Sequence, residues 1–267
     1  LILQILDICL ASNDFLFQGE FWLQTSGTAM GKTFAPSYAN LFMAKMEQDF
    51  FISFGYKPFL YLRYLDDIFI IWTEGMSLLK SFLHDFGCFH ESVKITYTIH
   101  QDSIDFLDVT VFKPSLEASS LSTRVHFKPT NTHHLLHRQS FHPQHTFKGL
   151  VKSQLNRFHR LCTDGKHFEE ATRILFRGLR NMHYTKRFLQ KLRRDVLFEI
   201  THTTPRTRCN STIIPFVCTF HPVSQHIVSE LLCNLRLLTT QDLTDVRLLR
   251  AFRRNKNLGD LIVRNKM

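Results

Sequence analysis

Residues 59–72 read "FLYLRYLDDIFIIW". Two runs of aromatic and branched apolar residues flank an aspartate pair, Asp66 and Asp67. Short runs of this composition around a polar break predict two strands joined by a tight turn, with the pair at the turn. Adjacent carboxylates repel, and apolar neighbours make each charge harder to hold, so a cation is the natural third member. Where hard oxygen ligands meet phosphates, that cation is usually magnesium. An exposed Asp-Asp turn is common in its own right. An aromatic residue and a leucine before the pair, inside two buried strands, favour the metal reading.

Upstream, residues 1–17 have close apolar spacing and predict a helix. The stretch "GEFWLQTSGTAMGKTFAP" then reads as a loop, with glycines at 19, 27 and 31 that permit close backbone approach to a ligand. Pro36 suits the first turn of a helix. Ala39, Phe42, Met43, Met46 and Phe50 continue at helical spacing, which predicts a helix over about 36–52. Downstream, "SLLKSFLHDFGCFH" reads as a helix. "VKITYTIH" and "IDFLDVTVFK" read as strands around the turn "QDS", and "STRVHFK" as a further strand. Helices and antiparallel hairpins in this order predict an α+β layer.

After Pro129 the character changes. "TNTHHLLHRQSFHPQHTF" is rich in histidine and reads as a loop. Zinc is the sharp reading of His133, His134, His137, His142 and His145, but no cysteine or carboxylate joins them at a motif spacing. Contact with phosphates or the capping of turns suits them better. Three helical patterns follow, with apolar stripes at Phe147, Val151, Leu155, Phe158 and Cys162, then Phe168, Ala171, Leu175 and Leu179, then Phe188, Leu189, Leu192 and Val196. Each has cations beside its stripe, and "GLRNMHYT" suits the turn of a helix-turn-helix. A linker "THTTPRTRCNST", a strand "IIPFVCTF" and one or two helices complete the chain.

Charge separates along these lines. Residues 1–113 carry 7 Lys and Arg against 13 Asp and Glu, whereas residues 114–267 carry 26 against 10. The first part suits cations, and the second suits a polyanion such as nucleic acid. The six cysteines form no CxxC pair and read as reduced intracellular thiols. No window of eighteen apolar residues is present, so no membrane span is expected. The chain begins with leucine and reads as a fragment of a longer product.

"QTSGTAMGKTFAPSYANLFMAKME", "RYLDDIFIIW" and "FLDVTVFK", in that order, resemble the back half of a reverse transcriptase. "GTAMG", "APSYANLFM", "SFHPQHTFKGLVKSQLNRFHRLC" and "NLGDLIVRNK" narrow the resemblance to the Penelope-like retroelements. It implies RNA-templated DNA synthesis with two magnesium ions, an RNA template, a DNA primer and deoxynucleotides, inside the cell and in the nucleus. It assigns Asp66 and Asp67 to the catalytic metals. It sets Gln24, Gly27, Thr28, Met30 and Gly31 near the templating base and incoming nucleotide, and Phe106, Leu107, Asp108 and Val109 at the primer terminus. Lys148, Lys152, Arg160, Arg173, Arg177, Lys186, Arg187 and Lys191 would hold the backbone of the product duplex.

The chain departs from that family in lacking the fingers, the GIY-YIG nuclease and the "DV-x-SLY"-like segment that bears a third palm carboxylate. Asp7 and Asp14 fall in the helical pattern instead. The expectation is therefore a chain unable to polymerise alone, with its missing carboxylate before residue 1. The expected architecture is a partial α+β palm over 1–113, an all-α basic thumb-like or helix-turn-helix-like module over 114–203, and a small C-terminal extension over 204–267. The alternative is a non-catalytic nucleic-acid-binding protein derived from such an element, acting through the basic helices.

Overall fold

The structure, a computed structural model, describes residues 2–29, 31–115, 118, 120–202, 212–238, 246–253 and 255. Its architecture is α+β, in two compact units that divide between Leu107 and Asp108.

The first unit opens with α1 (Ile2–Ala11), β1 (Asp14–Phe17) and β2 (Glu20–Leu23). The predicted helix over 1–17 is thus too long. The chain turns back instead, and β1 pairs antiparallel with β2, Phe17 opposite Glu20. Gln18 and Gly19 have φ of 51° and 86°, the two positive values of a type I′ hairpin turn. The run "GEFW", expected in the loop, is the second strand, and Asp14 sits on a strand rather than on a helix. Both strands are exposed, as are Phe21 and Trp22 on them.

The long helix α2 (Ala35–Phe54) carries Pro36 in its first turn and ends on Gly55, whose φ of 73° supplies the left-handed cap. Of its predicted stripe, Met46 and Phe50 are buried and Met43 is partly so, while Ala39 and Phe42 are exposed. Next come β3 (Leu60–Tyr64), β4 (Asp67–Ile71) and α3 (Met76–Cys88). Strands β3 and β4 are antiparallel, Tyr64 opposite Asp67. Phe50 at the centre of the core meets Phe82 and Phe86 of α3 edge-on, with ring centroids 5.3 and 4.9 Å apart. The predicted strand "VKITYTIH" is extended chain without ladder pairing. Val93 and Ile95 face the core, and Ile95 approaches so closely that a Cβ on Gly87 would stand 3.1 Å from it. The residues have the propensity and alternation of a strand but, among the described residues, no strand pairs with them. β5 (Ser103–Phe106) completes the unit.

In the second unit β6 (Val109–Phe112) pairs antiparallel with β7 (Ser122–Val125). The single strand read over "IDFLDVTVFK" is thus two, broken at Leu107-Asp108. Then follow α4 (Gln144–Leu161), α5 (Gly165–Asn181) and α6 (Lys186–His202). Their predicted stripes converge on one core. Phe147, Val151, Leu155, Leu179, Leu189 and Val196 are at most 1% exposed, so this core is nearly dry. Asp164 caps α5 by accepting a hydrogen bond from the Lys166 N–H at 3.2 Å. β8 (Thr212–Thr219), α7 (Pro222–Leu238) and β9 (Val246–Arg253) end the described chain, with β8 parallel to β9 and α7 between them in sequence. Most of the linker "THTTPRTRCNST" and of the C-terminal "NLGDLIVRNK" lies outside the described residues.

Candidate active-site hairpin and nucleic-acid interface

The β3–β4 turn consists of Leu65 and Asp66, and Asp67 opens β4. Both aspartates are exposed. The buried setting inferred from the flanking apolar runs is corrected here: Leu62 and Tyr64 are 51% and 60% exposed, because the hairpin projects its tip beyond the α2–α3 core. Among the described residues neither Asp66 nor Asp67 has a hydrogen-bonded or ion-paired partner for its carboxylate. No three His, Cys, Asp or Glu side chains among them converge as a metal-holding group.

The turn is held from behind by residues that sequence reasoning missed. Arg63 Nε lies 2.5 Å from Glu47 Oε1 on α2, and both side chains are nearly buried, 11% and 13% exposed. Its Nη1 donates to Asn40 Oδ1 at 2.8 Å and to the Leu65 carbonyl at 3.1 Å. Tyr61 Oη donates to the same Glu47 oxygen at 2.8 Å. Burial, and then this bond to a carboxylate, push the Tyr61 phenol far above its ordinary value. One guanidinium thus ties the helix to the turn that carries Asp66. The only signal in the sequence was an arginine and a glutamate within apolar patterns, 16 residues apart.

Leu65 adopts φ 54°, a left-handed conformation that few non-glycine residues enter. Leu107 has the same φ in the turn between β5 and β6. "YLDD" and "FLDV" are therefore two turns of one kind, aromatic–Leu–Asp, and Phe69 of β4 meets Phe106 of β5 with centroids 5.4 Å apart. Asp108 pairs with Arg157 on α4, and its carbonyl accepts from the His126 N–H at 2.9 Å. Val109 opens β6 opposite Val125.

In the glycine loop, Gly27 and Gly31 have φ of 74° and 96°, where a side chain would be strained. Gln24 Nε2 donates to the Ser26 carbonyl at 2.8 Å, so this side chain folds over its own loop. Thr28 is partly buried, and Met30 lies outside the described residues.

In the second unit the exposed side of α6 presents Arg187, Gln190, Lys191 and Arg194 at helical spacing. The exposed side of α5 presents Arg173, Arg177 and Arg180. Lys186, Lys148 and Arg160 are exposed as well. Lys152 differs from the other predicted backbone contacts, because its Nζ lies 2.5 Å from Glu199 on α6 and joins two helices. Arg193 is likewise engaged with Glu169. Between α5 and α6 the chain turns through Met182–Thr185, with His183 at φ 65°.

A short turn joining two helices that share one core, the second with an exposed polar face, is the helix-turn-helix arrangement. Residues 134–194 match the family model of the animal helix-turn-helix domain. The helix-turn-helix is used for binding nucleic acid, with the N-terminal part of its second helix facing base edges. Here that part is the first turns of α6, where Arg187, Gln190 and Lys191 lie. The matched segment also contains the histidine-rich loop from His134 onward, and His133 just before it packs with that loop. His133 stacks edge-on against Phe127 with centroids 4.9 Å apart and lies directly over Gly178. His137 meets His183 at 4.8 Å and accepts from the Gln139 N–H at 3.2 Å. His137 thus caps a turn, and both histidines pack the loop onto α5 and its exit. No curated protein and no solved structure matches the chain. No helix among the described residues is long and apolar enough to cross a membrane.

Proposed function

We propose that this chain is the palm-to-thumb part of a retroelement reverse transcriptase whose helix-turn-helix module holds nucleic acid. The observation that carries the nucleic-acid reading is the exposed stripe of Arg187, Gln190, Lys191 and Arg194 on the second helix of the matched module. Arg and Lys neutralise phosphates, and Arg, Lys and Gln also pair with base edges in the major groove.

The polymerase reading rests on order and chemistry in the first unit. A glycine loop leads into α2, α2 packs against a hairpin, and that hairpin exposes two adjacent carboxylates that have no partner among the described residues. Such a pair suits Mg²⁺, which keeps several waters and takes one or two carboxylates together with phosphate oxygens. Two such ions, when bound, supply the stabilisation of attacking and leaving oxygens in nucleotidyl transfer. The protein's own part is positional. Arg63 holds the Leu65 carbonyl, which fixes the direction of Asp66. The positive-φ glycines leave backbone open beside a base or sugar. The Phe106–Val109 turn stands at the primer end. This work belongs in the nucleus, where such elements meet DNA.

Primer extension tests the reading. The 267-residue chain with Mg²⁺ is expected to incorporate nothing, since it supplies two of the three palm carboxylates. Supplied with a palm segment that bears a third, it is expected to synthesise DNA, and Asp66→Asn is expected to abolish that synthesis. Incorporation by the chain alone that Asp66→Asn removes would overturn the claimed inactivity. A second reading, a non-catalytic nucleic-acid-binding protein derived from such an element, draws on the family match being confined to residues 134–194. It predicts duplex binding by the chain and no synthesis with or without such a segment.

A further inference from the structure

Two adjoining cavities lie in the second unit, where the histidine-rich loop and the start of α4 face α7 and β9. The first, about 510 Å³, is lined by Arg138, Phe141, His142, Phe220 and His226 among others. The second, about 430 Å³, is lined by His145, Lys148, Arg250 and Phe252 among others. Gln144 and Gln225 line both, so the two form one trough. Each part lies in the range of small-ligand sites, roughly 300–1,000 Å³.

The chemistry of the lining is one-sided. Among the described residues no aspartate or glutamate lines the trough, whereas arginine, lysine and histidine recur along its length. Arg138 is held in place, its guanidinium 4.5 Å from the Phe147 ring centroid and 5.4 Å from that of Phe188, with Nη2 donating to Gln144 Oε1 at 2.8 Å. Among the described residues it has no carboxylate partner. Aromatic rings alternate with these cations. Phe141 lies 5.1 Å from Phe220, Phe220 lies 5.6 Å from Phe252, and Phe252 stacks with His145 at an interplanar angle of 16°. Phe141 is 55% exposed, whereas Phe220 and Phe147 are 6% and 1% exposed, so of these three rings Phe141 is the one a ligand can reach.

We infer that this trough binds a single-stranded segment of nucleic acid, with a base against Phe141 and phosphates on Lys148 and Arg250. Cations that follow the backbone, combined with aromatic faces for successive bases, are the means by which unpaired strands are held. A duplex cannot use the aromatic faces, because its base faces are already stacked on one another. The exposed stripe of α6 suits a duplex and the trough suits an unpaired strand, so the two surfaces serve different forms of the polymer. The inference rests on the nucleic-acid reading proposed above and deepens it.

Fluorescence anisotropy on the full chain, with a labelled oligo(dT) and a labelled duplex, tests this. Phe141→Ala is expected to weaken oligo(dT) binding about tenfold, within the range for removal of one stacking platform. Arg250→Glu, at a trough position outside the residues assigned to the duplex, is expected to weaken it at least as much, while neither change alters duplex affinity more than about twofold. Phe141→Trp, at an exposed loop position, is a second probe whose fluorescence oligo(dT) should quench and duplex should not. An equal loss for both polymers, or no loss and no quenching, would overturn the trough while the duplex reading stands. Oligo(dT) binding that depends on the trough, with no duplex binding, would leave the trough standing and remove the helix-turn-helix reading. A chain that binds neither polymer removes both.

Discussion

Arg63→Ala removes a guanidinium that satisfies Glu47, Asn40 and the Leu65 carbonyl together. The charge left behind matters most, because Glu47 is only 13% exposed and Arg63 is its ion-pair partner. Breaking one side of a buried pair costs about 3–5 kcal/mol, mainly as the penalty of an uncompensated buried charge. Loss of the Leu65 contact also frees a turn that holds a leucine at φ 54°, a conformation that depends on its surroundings. The expected destabilisation of the first unit is therefore about 3 kcal/mol. In a Glu47→Gln background no charge is stranded and the glutamine oxygen still accepts from Tyr61, so Arg63→Ala should cost only about half as much, a coupling of at least ~1.5 kcal/mol. Both tryptophans, Trp22 and Trp72, belong to the first unit, and Trp72 packs against Phe82 with centroids 5.2 Å apart. Urea unfolding followed by their emission thus reports that unit by itself. A single-variant cost below about 1 kcal/mol, or additivity within about 0.5 kcal/mol, would refute the claim that Arg63 organises the hairpin.

Three further outcomes are expected. Gly178→Ala would set a Cβ 2.7 Å from the His133 Cβ and 3.0 Å from the His133 carbonyl, so overpacking of about 1–3 kcal/mol should exceed the helix-propensity gain of about 1 kcal/mol. A fall in the urea midpoint of the second unit, followed by far-ultraviolet circular dichroism, is the check. Leu65→Gly should be neutral or stabilising by up to about 1 kcal/mol in the same tryptophan assay, since glycine enters positive φ freely. Mn²⁺, which accepts the same oxygen ligands as Mg²⁺, should broaden the amide resonances of Asp66, Asp67 and Ile68 in the wild-type chain but not in Asp66→Asn/Asp67→Asn.

Where pattern and fold agree, the signal was local. The "YLDD" hairpin followed from two β-branched and aromatic runs around a polar break. The three helices of the second unit followed from stripes at helical spacing, whose residues form its dry core. The misreadings have physical causes. Residues 14–23 are apolar on both faces, so spacing alone did not separate helix from strand, and the hairpin signal was confined to Gln18-Gly19. "VKITYTIH" has every local property of a strand, but strand pairing depends on a neighbour that no local property supplies. The Arg63–Glu47 contact joins two elements, and the trough joins residues from 138 to 252, so neither leaves a periodic trace. The exposure of the aspartate pair was misjudged because apolar neighbours in sequence are not neighbours in a core when a hairpin tip projects.

The most direct test of the account is the salt dependence of duplex binding. If Arg187, Lys191, Arg194 and Lys186 each neutralise one phosphate, log affinity should fall against log salt with a slope of about −3.6, a loss of about 150-fold between about 50 and 200 mM. Arg187→Ala/Lys191→Ala should reduce the slope to about −1.8 and the loss to about 12-fold over the same range. An unchanged slope in that variant, or wild-type binding insensitive to salt, would contradict the placement of nucleic acid on α6.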